Sequence, residues 1–208
     1  MNQLAAKSHT NTNIAVPTAQ TRDNFILNLD DDYERIKSRF STNVKRNLKK
    51  HTSLQLENCT PAVAWDIYQQ TYGHLQNAIT HPQFTSLIDL IKEKPDYFAI
   101  KAVVKNQTTI AFGLWAVNVD HQRIHYLMGA PTFEGKKNAA MTFLHNEMIK
   151  IYASKAFSIY DFEGSSIPSV ATFYKKFGAQ NEPFFEIEQF NNPFIVGIVR
   201  LYRMFKKS

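Results

Sequence analysis

Cysteine is almost absent from this chain. The single thiol, Cys59, cannot form an internal disulfide, so nothing points to an oxidising compartment. No run approaches the roughly 18 consecutive apolar residues of a membrane-spanning helix. The first residues, MNQLAAKSHTNTN, lack the apolar core of a signal peptide. The expected location is therefore the cytoplasm. Neither a Gly-x-Ser-x-Gly elbow nor a phosphate-binding P-loop pattern occurs, which removes the common serine hydrolases and P-loop nucleotidases. His121 and His125 are four apart but span a turn and a strand. With no cysteine or carboxylate at ligand spacing beside them, no metal site is expected. Repeats and low-complexity tracts are also missing.

What the chain does have is apolar and aromatic residues. Over 208 positions, hydrophobic residues make up 44% and aromatics 13%, enough for one large domain with a sizeable core. The net charge of +6 is clustered in "KRNLKK" (Lys45 to Lys50) and "RLYRMFKKS" (Arg200 to Ser208). Such clusters either attract phosphates of RNA, nucleotides or lipid heads, or are plain solvated helix faces.

Residues 1–22 are polar and without period and read as a flexible lead. Asn24 to Leu29 is a short strand. The three aspartates at 30–32 offer N-cap acids to a helix whose apolar stripe is Tyr33, Ile36, Phe40, Val44 and Leu48. "SLQLENC" reads as a strand, and Pro61 and Pro82 each start a helix. Three strand-like runs (97–104, 109–119, 123–128) are separated by hairpin-length breaks, "KNQT" and "VDHQ", which predicts antiparallel neighbours. A long helix to about Ser154 follows, then a strand Phe157 to Glu163, a helix Pro168 to Phe177, a strand Pro183 to Phe190 and a terminal helix from about Pro193. The expected class is α/β with a mixed, mostly antiparallel sheet flanked by helices. The expected organisation is a lead over 1–22, one domain over 23–192, and a basic amphipathic helix over 193–208. That last helix has two readings: lying on an anionic membrane, or docked with its cations at the C-terminus.

Two segments carry candidate chemistry. "GAPTFEGKKNAA" places Gly135, Lys136, Lys137 and Asn138 at a helix start, where free amides and two lysines would hold an anion; the alternative is an ordinary solvated terminus. "DFEGSSIPSVATFYKKFGAQ" joins a strand end to a helix with a buried stripe of Val170, Phe173 and Phe177. Tyr174 lies beside that stripe, either as a proton donor to a leaving group or as a core tyrosine with a satisfied hydroxyl. Asp161 and Glu163 share one side of the strand, so one of them is a candidate base for an attacking amine; the alternative is that Asp161 caps a loop and Glu163 is exposed.

"IPSVATFYKKFGA" resembles the signature helix of the GNAT acetyltransferase superfamily, with Tyr174 and Gly178 on the pattern. "YDFEGS" before "FYKKFGA", together with "NFILNLDDDYERIKSRFSTNVKRNLKKH" and its Arg46-Asn47 pair, looks like the second GNAT-like domain of Fem-type peptidoglycan aminoacyltransferases. The resemblance runs from about Asn24 to Phe190 and covers one of that family's two tandem domains. It implies a GNAT-like fold and transfer of an acyl or aminoacyl group to an amine. Tyr174 would be the general acid, with Asp161 or Glu163 assisting the amine. Amides near Met128, Gly129 and Ala130 would polarise the donor carbonyl, and Gly135, Lys136, Lys137 and Asn138 would meet donor phosphates. The implied donor is acetyl-CoA or another acyl-CoA, or aminoacyl-tRNA, with no metal. Of the glycine-rich loop of coenzyme A users, only Gly135 with the small Ala139 and Ala140 remains, whereas Fem-type enzymes do not need that cradle. Expected partners are the acyl donor and an amine acceptor, with tRNA, a membrane surface and a second copy of the chain as further candidates. The rival expectations are a non-catalytic GNAT-like binding module and a basic RNA- or lipid-surface binder.

Overall fold

The computed structural model describes residues 18–50, 53–76, 78–164 and 167–188. The terminal helix expected over 193–208 lies outside the described residues. Two compact units are present, one of them formed by residues 23–183. In the other, β1 (Thr18–Arg22) pairs antiparallel with β9 (Phe184–Glu188), and Arg22 bridges to Glu186 at 2.7 Å. The lead expected over residues 1–22 thus ends in a strand. No helix among the described residues is long and apolar enough to cross a membrane.

The larger unit is built on seven strands: β2 (Asn24–Asn28), β3 (Leu54–Asn58), β4 (Phe98–Lys105), β5 (Thr108–Asn118), β6 (Arg123–Pro131), β7 (Ile159–Gly164) and β8 (Gln180–Asn181). Their order is β3-β4-β5-β6-β7-β2-β8, and every neighbouring pair is antiparallel except β6 with β7. The expected mixed, mostly antiparallel sheet is therefore present. The β4–β5 turn uses Asn106 and Gln107, both at positive φ (49° and 65°), the twist a two-residue hairpin requires.

The helices are α1 (Tyr33–Ser38), α2 (Thr42–Lys50), α3 (Pro61–Tyr72), α4 (His81–Glu93), α5 (Phe133–Lys137), α6 (Ala140–Ala153) and α7 (Pro168–Lys175). The single helix expected from Tyr33 to Leu48 is two. Ser41 accepts the Val44 and Lys45 amides on its Oγ and carbonyl and starts the second helix, while its own amide goes to the Lys176 carbonyl. The apolar stripe nevertheless continues across the break, with Ile36, Phe40 and Val44 buried.

Strand β5 is buried on both faces from Ile110 to Trp115, because each face is covered by helices. Ala111 and Trp115 join α1, α2, α6 and α7 in one core, and Phe112, on the opposite face, joins α3 and α4 in another. Leu144, Met148 and Ile149 anchor α6 at full burial, each contributing about 2 kcal/mol. This clamps α6 across the sheet and sets its first turn at one end of the β6–β7 junction.

Candidate active site

Parallel pairing of β6 with β7 lasts for only three residue pairs: Arg123 with Ile159, Ile124 with Tyr160 and His125 with Asp161. Both strands run on and diverge. Two irregularities mark the divergence. Leu127 is an extra residue against β5, between the pairs Trp115–Tyr126 and Leu114–Met128. On β7, Phe162 and Glu163 together oppose Phe25 of β2, and Glu163 takes φ +63°. Bulges bend a strand and release it from its ladder, and here they open a wedge.

The wedge holds an open pocket of about 730 Å³. Strand β6 supplies Tyr126, Met128 and Gly129, helix α3 supplies Tyr68 and Tyr72, α6 supplies Met141 and His145, and α7 supplies Val170, Phe173 and Tyr174. Helix α7 is set by Pro168 at its start and by Gly178, whose φ of +81° ends the helix and turns Phe177 into the core. Of the stripe expected on this helix, Phe177 is buried, while Val170 and Phe173 are half-buried, pack against the core and line the pocket; Tyr174, expected beside the stripe, is buried as well.

Tyr174 is 7% exposed, with its ring stacked on Phe162 at 4.8 Å. Its hydroxyl has no hydrogen-bond partner among the described residues. Yet Asn24 Oδ1 is the only fully buried side-chain polar atom among them that lacks a partner, so the phenol opens onto the pocket. Burial, with Tyr72 and Glu163 nearby, pushes its pKa up to about 12. The phenol is therefore protonated at neutral pH. Of the proposed amide donors, Met128 and Ala130 are turned toward β5. The Thr132 amide donates to the Ile110 carbonyl at 2.8 Å, and alternation along this register gives Ala130 and Met128 the same ladder role. Gly129 is left with its N–H facing the gap. A side chain there would crowd the Tyr126 hydroxyl at 2.5 Å and the Phe112 carbonyl oxygen at 2.6 Å.

The segment before α6 differs from its expectation. The amide of Gly135 donates to Thr132 Oγ1 at 3.1 Å, that of Lys136 to the Thr132 carbonyl, that of Asn138 to the Glu134 carbonyl and that of Ala139 to the Lys136 carbonyl. These amides close α5 on itself and offer no cradle. Gly135 is glycine for packing, since a Cβ would overlap the Ile110 carbonyl oxygen. The Lys137 ammonium sits over the Phe133 ring at 4.4 Å, and Asn138 is bonded to Glu134 and Lys105. Lys136 alone of the four lines the pocket.

Asp161 and Glu163 do lie on one side of β7 and meet at His125, whose Nδ1 is 2.7 Å from Glu163 Oε1 and 3.4 Å from Asp161 Oδ2. Neither lines the pocket. Asp161 is 2% exposed and takes two bonds from the Arg123 guanidinium, one from the Asn24 amide and one from the Glu163 backbone N–H. Burial works against its charge, but His125, Arg123 and that amide outweigh it and hold its pKa below the ordinary value. The two carboxylates raise His125 to about 9. His125, Asp161 and Glu163 are close enough to share a cation, a grouping that sequence spacing did not anticipate. The Arg123 guanidinium already occupies the Asp161 oxygen and also reaches Glu182, so this is a clasp at the closed end of the wedge.

Sequence reasoning missed His145, Tyr72 and Tyr126. For His145 the one signal was a titratable ring on the otherwise apolar core face of α6. Its partners come from β5 and β7 and cannot be read from local spacing.

No protein-family model matches the sequence, and no curated protein matches it. Solved structures do. FemX superposes with a TM-score of 0.65 at 11% identity, over 83% of this chain and 63% of that one. L-PGS from Bacillus licheniformis gives 0.56 at 9%, over 92% and 68%. A GCN5-related N-acetyltransferase from Sphaerobacter thermophilus gives 0.54 at 8%, over 82% and 53%. The fold is GNAT-like, as the motif resemblance implied, and the chain spans less than two thirds of the FemX structure.

Proposed function

We propose that the domain of residues 23–183 is an N-acyltransferase working in the wedge between β6 and β7. One observation carries this reading: a parallel strand pair stops after three registers, beside a buried, protonated phenol with no partner among the described residues. In the proposed step, an amine nitrogen attacks the acyl carbonyl of an ester or thioester. The C–N bond forms and the C–O or C–S bond breaks. The Gly129 N–H faces the developing oxyanion, the kind of contact worth about 10²–10³ in rate. Tyr174 gives its proton to the departing oxygen or sulfur and recovers one from solvent. The amine gives its proton to water in the open pocket, because neither Glu163, held by His125, nor Asp161, saturated by its own partners, lines it; both hold the strands.

The filled turn at 132–139 favours an aminoacyl ester on tRNA over a coenzyme A thioester, because the amides of residues 135, 136, 138 and 139 are bonded within the turn. Lys136, at the pocket edge, then meets a donor phosphate. A second reading, a domain that binds but does not catalyse, draws on the same filled turn. The two separate by experiment. The protein is incubated with aminoacyl-tRNA or with acetyl-CoA, each with lysine-containing peptides and amino sugars as acceptors, and amide products are read by mass spectrometry. The transferase reading expects aminoacyl amides and little acetyl amide. No amide from either donor would leave the binding module standing.

A further inference from the structure

His145 is 1% exposed and lines the wedge pocket from α6. Its Nδ1 is 2.7 Å from the Tyr160 hydroxyl, which also lies 2.8 Å from Trp115 Nε1. An indole nitrogen only donates, so the Tyr160 oxygen accepts from Trp115. The phenolic proton then needs an acceptor, and Nδ1 is the one within reach. If Nδ1 carried the proton instead, the buried Tyr160 hydrogen would have nowhere to go, at a cost of about 1–3 kcal/mol. The chain Trp115→Tyr160→His145 therefore fixes the tautomer and puts the imidazole hydrogen on Nε2. Burial pushes the His145 pKa down to about 3, so the ring stays neutral. Nε2 has no partner among the described residues and is not among their fully buried unpaired atoms, so its N–H points into the pocket.

The pocket that the N–H enters has walls that include Tyr72, Tyr126, Met128, Met141, Val170 and Phe173; its one charged lining residue is Lys136, and no carboxylate among the described residues lines it. We propose that this pocket selects an acyl group with an uncharged, apolar body and that the His145 Nε2–H is the specificity-determining donor to an oxygen of that group. This rests on the transferase reading and names its substrate class. An ammonium side chain would lose its water and find no counter-charge. A carboxylate side chain reaching the His145 N–H would find a neutral donor there, since the one ammonium on the lining, Lys136, is taken by the donor phosphate in the transferase reading. Burying either charge unpaired costs more than burying an aliphatic or aromatic chain. Tyr160 is a positioning residue here: it holds the tautomer and does not touch the ligand.

The test uses the whole chain with 15N-labelled histidine and three probes: the methyl esters of N-acetyl-leucine, N-acetyl-lysine and N-acetyl-aspartate, the last with a free side-chain carboxylate. Without probe, the His145 resonances should report a protonated Nε2 and an unprotonated Nδ1. The leucine ester should shift the Nε2 signal and bind at least about tenfold more tightly than the charged esters. In Tyr160→Phe, with its aromatic packing kept, the two tautomers should mix and the Nε2 shift on leucine ester should shrink. Equal affinity for the three esters, a proton on Nδ1, or an Nε2 signal that no ester moves would overturn the inference. Because binding is read apart from turnover, selective ester binding with no amide product would sink the catalytic reading and leave the selectivity standing.

Discussion

At the scale of single residues, the site is organised by which polar atoms the fold leaves without partners. Asp161 has four bonds and cannot serve as a free base. Tyr174 has none among the described residues, and its burial keeps the proton on. Removing the hydroxyl while keeping the ring should therefore spare folding and donor binding. For Tyr174→Phe the expected result is a fall in kcat of about 10²-fold with KM little changed. Steady-state kinetics would check this, and an unchanged kcat would remove the phenol from the mechanism. Tyr174 was legible in the sequence because helix and strand signals lay on either side of it. Gly129 was not legible as the one gap-facing amide of its trio, because ladder parity along β6 is fixed by the register with β5.

At the scale of elements, the segment 132–140 shows how a motif can be spelled correctly and used differently. A glycine, two lysines and an asparagine before a helix read as an anion cradle. The fold spends those amides on a tight turn because β5 passes so close that only glycine fits at 135. That turn enters α6 through Ala139 at φ 45°, a left-handed conformation that costs an alanine roughly 1 kcal/mol or more. Ala139→Gly should raise stability by about 0.5–1 kcal/mol, read from the denaturation midpoint at constant m-value. A loss of stability would mean that the alanine methyl is worth more in packing than the strain it bears. The β4–β5–β6 meander was readable from two polar breaks of hairpin length. The break between α1 and α2 was not, since the apolar stripe runs through it and only the Ser41 cap interrupts the helix.

At the scale of the whole molecule, two histidines set opposite limbs of the pH profile. His125 is held at about 9, above its ordinary 6.5, by Asp161 and Glu163. Its contribution is complete below about pH 6.5 and is lost as the pH rises through about 9. His145 is lowered to about 3 by burial. Its contribution is present above about pH 6.5 and falls away as the pH drops toward 3, because the unfolded chain takes up a proton that the folded chain refuses. Urea midpoints measured across pH should peak near pH 6–7, with His125→Gln flattening the alkaline limb and His145→Gln the acid limb. A profile unchanged by both substitutions would contradict the burial and ion-pair assignments. The strand order and the parallel step from β6 to β7 place the clasp and the pocket at opposite ends of one junction. Closed below and open above, that junction is the feature on which the function depends. Residue-resolved amide hydrogen exchange across β6 tests it most directly. An open wedge predicts slow exchange at Met128 and Ala130, held by β5, and exchange at Gly129 faster by orders of magnitude. Equal protection at all three amides would mean that Gly129 is bonded across to β7, and that no site for an acyl carbonyl exists there.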